Sequence, residues 1–230
     1  VLKAPLFEDK PRLDEWSIAM RAARELREGL VANLGFGIPM LVSSFVDPDM
    51  EVLLHSENGV LGFGPVVEDP AEADPYCING GGQPVRRRPG MSFMSHDESF
   101  ALIRGGWVDV TFLGALQVSS EGDLANWRVP GKVSGALGGG QDLAFCAKRV
   151  VCLMTHQAKD GTPKIVRRLD LDMTAPRCVK RIISDIAVID IEAPGRLVLR
   201  EVLPGWSPDE VAQVTEPELV LADDLTDLVL

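Results

Sequence analysis

The chain is expected to fold as an open, mostly parallel α/β sheet with flanking helices, on three observations. A buried strand over residues 30–34, a glycine-rich turn, a helix opened by Pro39 and a second strand over 52–54 follow one another in β-loop-α-β order. Strongly apolar runs over 108–113 and 149–155 then supply further strands. At 230 residues, 46% hydrophobic and 25% charged, the chain is large enough for one extensive core. One domain over 1–230 is the simplest expectation. In such sheets ligands gather outside the carboxyl ends of the strands.

Taken in order, Asp14 is a plausible N-cap for a helix running to Glu28 and ended by Gly29, with Trp16, Met20, Ala23 and Leu26 as its buried face. Leu30 to Leu34 is the first strand, and Gly35-Phe36-Gly37-Ile38-Pro39 turns the chain into a second helix. Val52 to Leu54 follows. Residues 65–99, rich in Pro, Gly, Asp and Glu, read as loop and short hairpin, with Asp97 and Glu98 opening a helix that ends near Arg104. Beyond 108–113 glycines dominate to Gln141. Residues 149–155, 182–191 and 196–203 are strands, and Ser207 opens a short helix over 208–214. Residues 201–230 hold eight Asp or Glu and no Lys or Arg, which reads as a solvated tail, loose over 215–230.

Bulk properties narrow the function. A net charge of −11 argues against a general nucleic-acid binder, because phosphate binding needs a clustered positive surface. Four cysteines with no Cys-x-x-Cys pair suggest reduced, mostly buried thiols in a cytoplasmic protein. Three scattered histidines do not suggest a zinc site. There is no run of 18 apolar residues and no signal-peptide pattern, so neither a membrane span nor export is expected.

The chemistry concentrates at Glu51 to Pro65. Apolar Val52 to Leu54 stops at His55-Ser56-Glu57, and glycines follow at 59, 62 and 64. A lone carboxylate stands at a strand end on backbone that can lie close to a ligand. From these residues alone, a carboxylate holding a turn is the better reading of Glu57.

A resemblance reverses that preference. Ser56-Glu57-Asn58-Gly59 with Gly62 and Gly64 resembles the active-site motif of the β subunit of family I CoA-transferases, the 3-oxoacid and 3-oxoadipate group. A similar segment, Asn33-Leu34-Gly35-Phe36-Gly37-Ile38-Pro39, lies upstream, and others follow in the family's order: Ile103-Arg104-Gly105-Gly106, Leu113-Gly114-Ala115-Leu116-Gln117-Val118, Gly122 to Trp127, Pro130-Gly131-Lys132, Ala158 to Gly161 and Arg181 to Asp185. They reach to about residue 215. The resemblance implies the CoA-transferase fold and a reaction in which CoA moves between an acyl-CoA such as succinyl-CoA and a 3-oxo acid. It implies no permanently bound cofactor and no metal, with acyl-CoA as substrate, and an α subunit of similar fold in an α2β2 hetero-oligomer. The family's Gly-x-Gly-Gly-Phe oxyanion loop belongs to that α subunit and is absent here.

Glu57 suits covalent transfer, because a carboxylate attacking an acyl-CoA gives an anhydride that returning thiolate converts to a γ-glutamyl thioester. Anionic intermediates then need preorganised donors. Gly138-Gly139-Gly140 is the first candidate and the Asn33 side chain the second; the resemblance implies that Gly138 and Asn33 face the thioester. Cations for CoA phosphates are sought in Lys132 and in Arg86-Arg87-Arg88, although a solvated surface run is the commoner meaning of three arginines. His55 and His96 are assigned no catalytic role, because exchange between carboxylates and a thiolate needs little proton transfer. Gly80-Gly81-Gly82 reads as a turn. Trp107, Phe112 and Trp127 among glycine loops suggest a subunit interface.

Departures from the pattern concern the substrate. Many relatives read Asn-Ala-Gly-Lys where this chain has Asn79-Gly80-Gly81-Gly82, Ser-Ser-Ala-Asp for Ser95-His96-Asp97-Glu98, and Lys-Gly for Gly135-Ala136. These changes leave Glu57 intact and open the identity of the acid. Two alternatives stand beside the transferase: an acyl-CoA hydrolase on the same scaffold, and a non-catalytic subunit that senses acyl-CoA or an organic acid.

Overall fold

The computed structural model describes residues 7, 9–128, 131 and 137–230. Helix α1 (Glu15–Ala23) is capped as expected, the Asp14 carboxylate accepting the Ser17 amide at 2.7 Å. It ends five residues before Glu28. The buried face is Ile18, Ala19, Arg21 and Ala22, not Trp16 and Met20, which are 47% and 37% exposed. Small alanines let this face lie flat on the sheet, whereas Trp16 packs edge-on against Phe45. Leu26 is buried beyond the helix, and Gly29 anchors the turn by donating to the Glu51 carbonyl at 2.8 Å.

Strand β1 (Val31–Leu34) leads through Gly37 into the short α2 (Ile38–Leu41), with Pro39 in its first turn, where a missing amide hydrogen costs nothing. Strand β2 (Leu53–Ser56) folds back on β3 (Val60–Leu61), which β4 (Ser92–Phe93) extends. Helix α3 (His96–Arg104) opens on a capping box between Ser95 and Glu98, which gives the expected helix-start role to this segment. Then come β5 (Val110–Gly114), β6 (Gln117–Ser119), β7 (Leu124–Ala125), α4 (Gly140–Cys146) and β8 (Arg149–Met154). The chain finishes with β9 (Ile165–Val166), β10 (Val179–Ser184), β11 (Ala187–Ala193), β12 (Arg196–Val202), α5 (Pro208–Gln213) and β13 (Leu219–Asp227).

Ten strands form one sheet in the order β13-β12-β11-β10-β8-β5-β1-β2-β3-β4, and β7-β6-β9 form a small second one. The middle of the large sheet, β10-β8-β5-β1-β2, is parallel throughout. From β1 the chain moves to β2 on one side and then to β5, β8 and β10 on the other, so the order reverses around β1. The carboxyl ends of the strands on either side of such a reversal diverge and leave a crevice.

Two expectations need correction. Residues 182–191 are not one strand: they are parts of β10 and β11, turned at Asp185-Ile186 where the Ser184 hydroxyl accepts the Ala187 amide at 3.0 Å. The acidic tail over 215–230 is not loose. It holds β13, paired in parallel with β12, with Leu228 2% exposed. Its charge is matched from the neighbouring strand, Arg200 reaching Asp224 at 3.1 Å. Among the described residues no helix is long and apolar enough to cross a membrane.

Candidate active site

A cleft of about 510 Å³ opens along the carboxyl ends of β8, β5, β1 and β2. Segments just past the strands line it: Gly35 to Ile38 after β1, Glu57 after β2, Leu116 beyond β5, and Thr155 beyond β8. Gly138 to Gly140, at the start of α4, close the far side. Phe36 stands at its edge, 80% exposed.

Glu57 is half-buried in this cleft, and its carboxylate makes no ion pair or hydrogen bond among the described residues. Two glycines pack on it. A β-carbon on Gly139 would stand 3.5 Å from its Cδ, and one on Gly80 would also stand 3.5 Å from it. Gly80 is tied down by donating its amide to the Ser56 hydroxyl at 2.6 Å. The next residue but one, Gly59, has φ +104° and faces the Met94 carbonyl so closely that a side chain would collide with it. The backbone leaving Glu57 is thereby fixed against β4.

The floor under Glu57 is polar and fully buried. Thr111 Oγ1 donates to Asn33 Oδ1 at 3.1 Å, and Asn33 Nδ2 donates to His55 Nδ1 at 3.1 Å and to the His55 carbonyl at 3.2 Å. Because Nδ1 accepts, the His55 proton sits on Nε2 and is directed to Ser99 Oγ at 3.0 Å. Ser99 Oγ in turn donates to the Ser56 carbonyl at 3.5 Å. Burial pushes the His55 pKa down to about 4 and keeps the ring neutral. His156 is likewise buried, between Ser184 and Thr215, and burial pushes it down to about 4 against the pull of Asp185.

The candidate residues therefore divide. Glu57, Gly138, Gly139 and Gly140 meet in one cleft. Among the described residues no acceptor takes the Gly138 or Gly139 amide, but Gly140 donates to the Leu137 carbonyl at 3.0 Å and is not a free donor. Asn33 is corrected: it is 0% exposed beneath the cleft, and both hydrogens of its amide are spent on His55. Lys132 lies outside the described residues. Arg86 and Arg87 pair on the surface with Glu72 and Asp74, and Arg88 reaches the Pro48 carbonyl at 3.3 Å, all away from the cleft. Phe112 is 0% exposed in β5 and belongs to the core; Trp107 is 65% exposed and Trp127 half-buried beside Arg128.

Sequence reasoning missed two residues. Gly80 reads as a plain turn glycine, yet it packs on the Glu57 carboxyl, an approach that only the fold reveals. Lys164 is the single cation among the described lining residues, and nothing in Pro163-Lys164-Ile165 marks it.

The family model described as coenzyme A transferase matches residues 16–213. The chain belongs to the coenzyme A transferase family. Among curated members, human succinyl-CoA:3-ketoacid coenzyme A transferase 2, mitochondrial, is 49% identical over 200 residues, covering 86% of this chain and 38% of the human protein. The probable coenzyme A transferase subunit beta of Bacillus subtilis is 46% identical over 202 residues, 88% of this chain and 92% of that subunit. The chain thus spans well under half of the human relative and nearly all of the bacterial one. A thioester complex with CoA of an Escherichia coli O157:H7 acyl-CoA transferase superposes with a TM-score of 0.72 at 23% identity, covering 98% of this chain and 45% of that one. This likeness establishes the CoA-transferase fold, an α/β sheet with flanking helices, in agreement with the expectation.

Proposed function

We propose that this chain is the nucleophile-bearing β subunit of a CoA-transferase that moves CoA between an acyl-CoA such as succinyl-CoA and a 3-oxo acid, with Glu57 as covalent carrier. The observation that carries the reading is Glu57 itself: a carboxylate in a cleft, unpaired among the described residues, with Gly80 and Gly139 packed on it and presenting no side chain. A carboxylate held for structure would have a partner.

A Glu57 oxygen attacks the thioester carbonyl carbon, forms an acyl–glutamyl anhydride and expels CoA thiolate. The thiolate attacks the Glu57 carbonyl carbon of the anhydride, giving the γ-glutamyl thioester and releasing the first acid as carboxylate. An acceptor carboxylate reverses both steps, so no proton or electron is consumed overall. The Gly138 and Gly139 amides are the chain's donors for the tetrahedral oxyanions, where one donor is worth about 2.7–4 kcal/mol of barrier. Half of such an enzyme comes from a second subunit. The subunit name of the Bacillus relative, its matching length and the exposed Phe36 beside the cleft support an α partner, in an α2β2 assembly. Four free thiols, two of them fully buried, support a reducing, cytoplasmic setting.

Glu57→Gln in the assembled enzyme tests the reading. Exchange of CoA between two acids should fall by several orders of magnitude while acyl-CoA still binds. Retained exchange would refute the carrier role. CoA release without an acceptor acid, at the rate of turnover, would replace the transferase by a hydrolase, and unchanged ligand-dependent output in the variant would make the chain a sensor.

A further inference from the structure

We propose that Lys164 recognises the anionic group at the end of the substrate remote from the reacting carbonyl. This deepens the transferase reading and rests on it. Lys164 stands just before β9, pinned on both sides: its amide donates to the His156 carbonyl at 3.1 Å, and its carbonyl accepts the Val118 amide at 2.9 Å. The side chain lines the same cleft as Glu57. Its Nζ is held by Thr155 Oγ1 at 3.1 Å, beyond the end of β8.

Among the described residues no carboxylate lies within ion-pairing distance of Nζ. Lys10 and Lys148, by contrast, are paired with Glu210 and Asp109. Glu15, the remaining charged residue besides Glu57 among the described residues of the cleft wall, is exposed and forms no ion pair with it. Lys164 is half-buried, and burial pushes its pKa down while Asp185 and Cys152 pull it up. An ammonium withdrawn from water without a counter-ion is costly, and an arriving oxyanion removes that cost through a charge-assisted hydrogen bond.

Position indicates which end of the substrate is read. The strand order β8-β5-β1-β2 places three interstrand steps, about 14 Å, between the strand end beside Lys164 and the strand end carrying Glu57. Lys164 therefore meets a group distant from the carbonyl that Glu57 attacks. That group is an oxyanion, either a second carboxylate of the acid or a phosphate of CoA.

Lys164→Met and Lys164→Arg, each in the assembled enzyme, separate the sources. Succinate is compared with acetate as the acid, and CoA with pantetheine as the thiol part of an acetyl thioester donor, both by KM and by equilibrium binding. Lys164→Met should weaken one member of one pair about ten- to hundredfold with kcat nearly kept, and Lys164→Arg should restore most of it. A loss confined to succinate assigns the carboxylate; a loss confined to CoA assigns the phosphate. Equal losses across a pair, unchanged values throughout, or an arginine variant as poor as the methionine variant would overturn the proposal. Equilibrium binding reads Lys164 even if Glu57 forms no thioester, so failure of the carrier reading and failure of this one are distinguishable.

Discussion

Acidification acts first on the buried histidines, and His55 allows the effect to be worked out. Folding holds its pKa near 4, against 6.5 for the free side chain. Between those values the unfolded chain binds a proton that the folded chain does not, so stability falls as pH drops through 6.5 and the loss is complete below about 4. At one pKa unit per 1.36 kcal/mol, the full loss is about 3 kcal/mol, of which about 2 kcal/mol is reached by roughly pH 5. The cause is visible: protonation puts a hydrogen on Nδ1, which now opposes the Asn33 amide donating to it at 3.1 Å. His55→Gln keeps an acceptor toward Asn33 and a donor toward Ser99 but does not titrate. Urea unfolding of both proteins at neutral pH and near pH 5 should show the wild type losing about 2 kcal/mol more than the variant. Equal losses would mean that the ring takes up its proton as readily in the folded chain as in the unfolded one, and the hydrogen-bond directions given above would be wrong. His156 contributes a similar loss in both proteins and cancels in the comparison.

Other consequences follow from particular contacts. Gly59→Ala places a β-carbon against the Met94 carbonyl at φ +104° and should destabilise by about 2 kcal/mol or more; a midpoint of urea unfolding equal to wild type would refute the tight β4 approach. Glu25 is 9% exposed and joins Arg21, Arg149 and Arg181 at 2.9, 3.0 and 2.8 Å. Glu25→Ala leaves three crowded guanidinium groups without their shared partner and should cost about 3–5 kcal/mol, whereas a change under 1 kcal/mol would mark the network as solvated. Ending the chain after Glu216 removes β13 and bares the edge of β12, so the shortened protein should elute as aggregate from a sizing column; a monodisperse product of wild-type stability would show that the edge strand is dispensable.

Local signals were readable in the amino-acid sequence because they act locally. Asp14 and Ser207 cap the helices that follow them, Asp97 and Glu98 stand in the first turn of α3, and Pro39 opens α2. The stop of an apolar run at His55-Ser56-Glu57 marked a strand end beside Glu57, although the strand runs on through His55 and ends at Ser56. What escaped depends on partners distant in the chain. The face of α1 that is buried is chosen by how closely Ile18, Ala19 and Ala22 approach the sheet, which hydrophobic spacing alone does not decide. Acid in β13 reads as solvated until Arg200 on β12 is placed beside Asp224. Asn33 has the residue type and strand-end position of a ligand donor, but the adjacent ends of β1, β2 and β5 draw its amide into the floor with His55 and Thr111. Gly80 and Lys164 are 23 and 107 positions from Glu57 and reach the same cleft only through the fold.

The central claim is that one side chain carries the coenzyme between two acids. Incubating the assembled enzyme with an acyl-CoA, removing the free ligand and mapping peptides by mass spectrometry tests it directly. The account predicts a CoA adduct on Glu57 that an acceptor acid discharges and that borohydride reduction abolishes together with activity. An enzyme that turns over with Glu57 unmodified, or that carries the adduct on another residue, would contradict it.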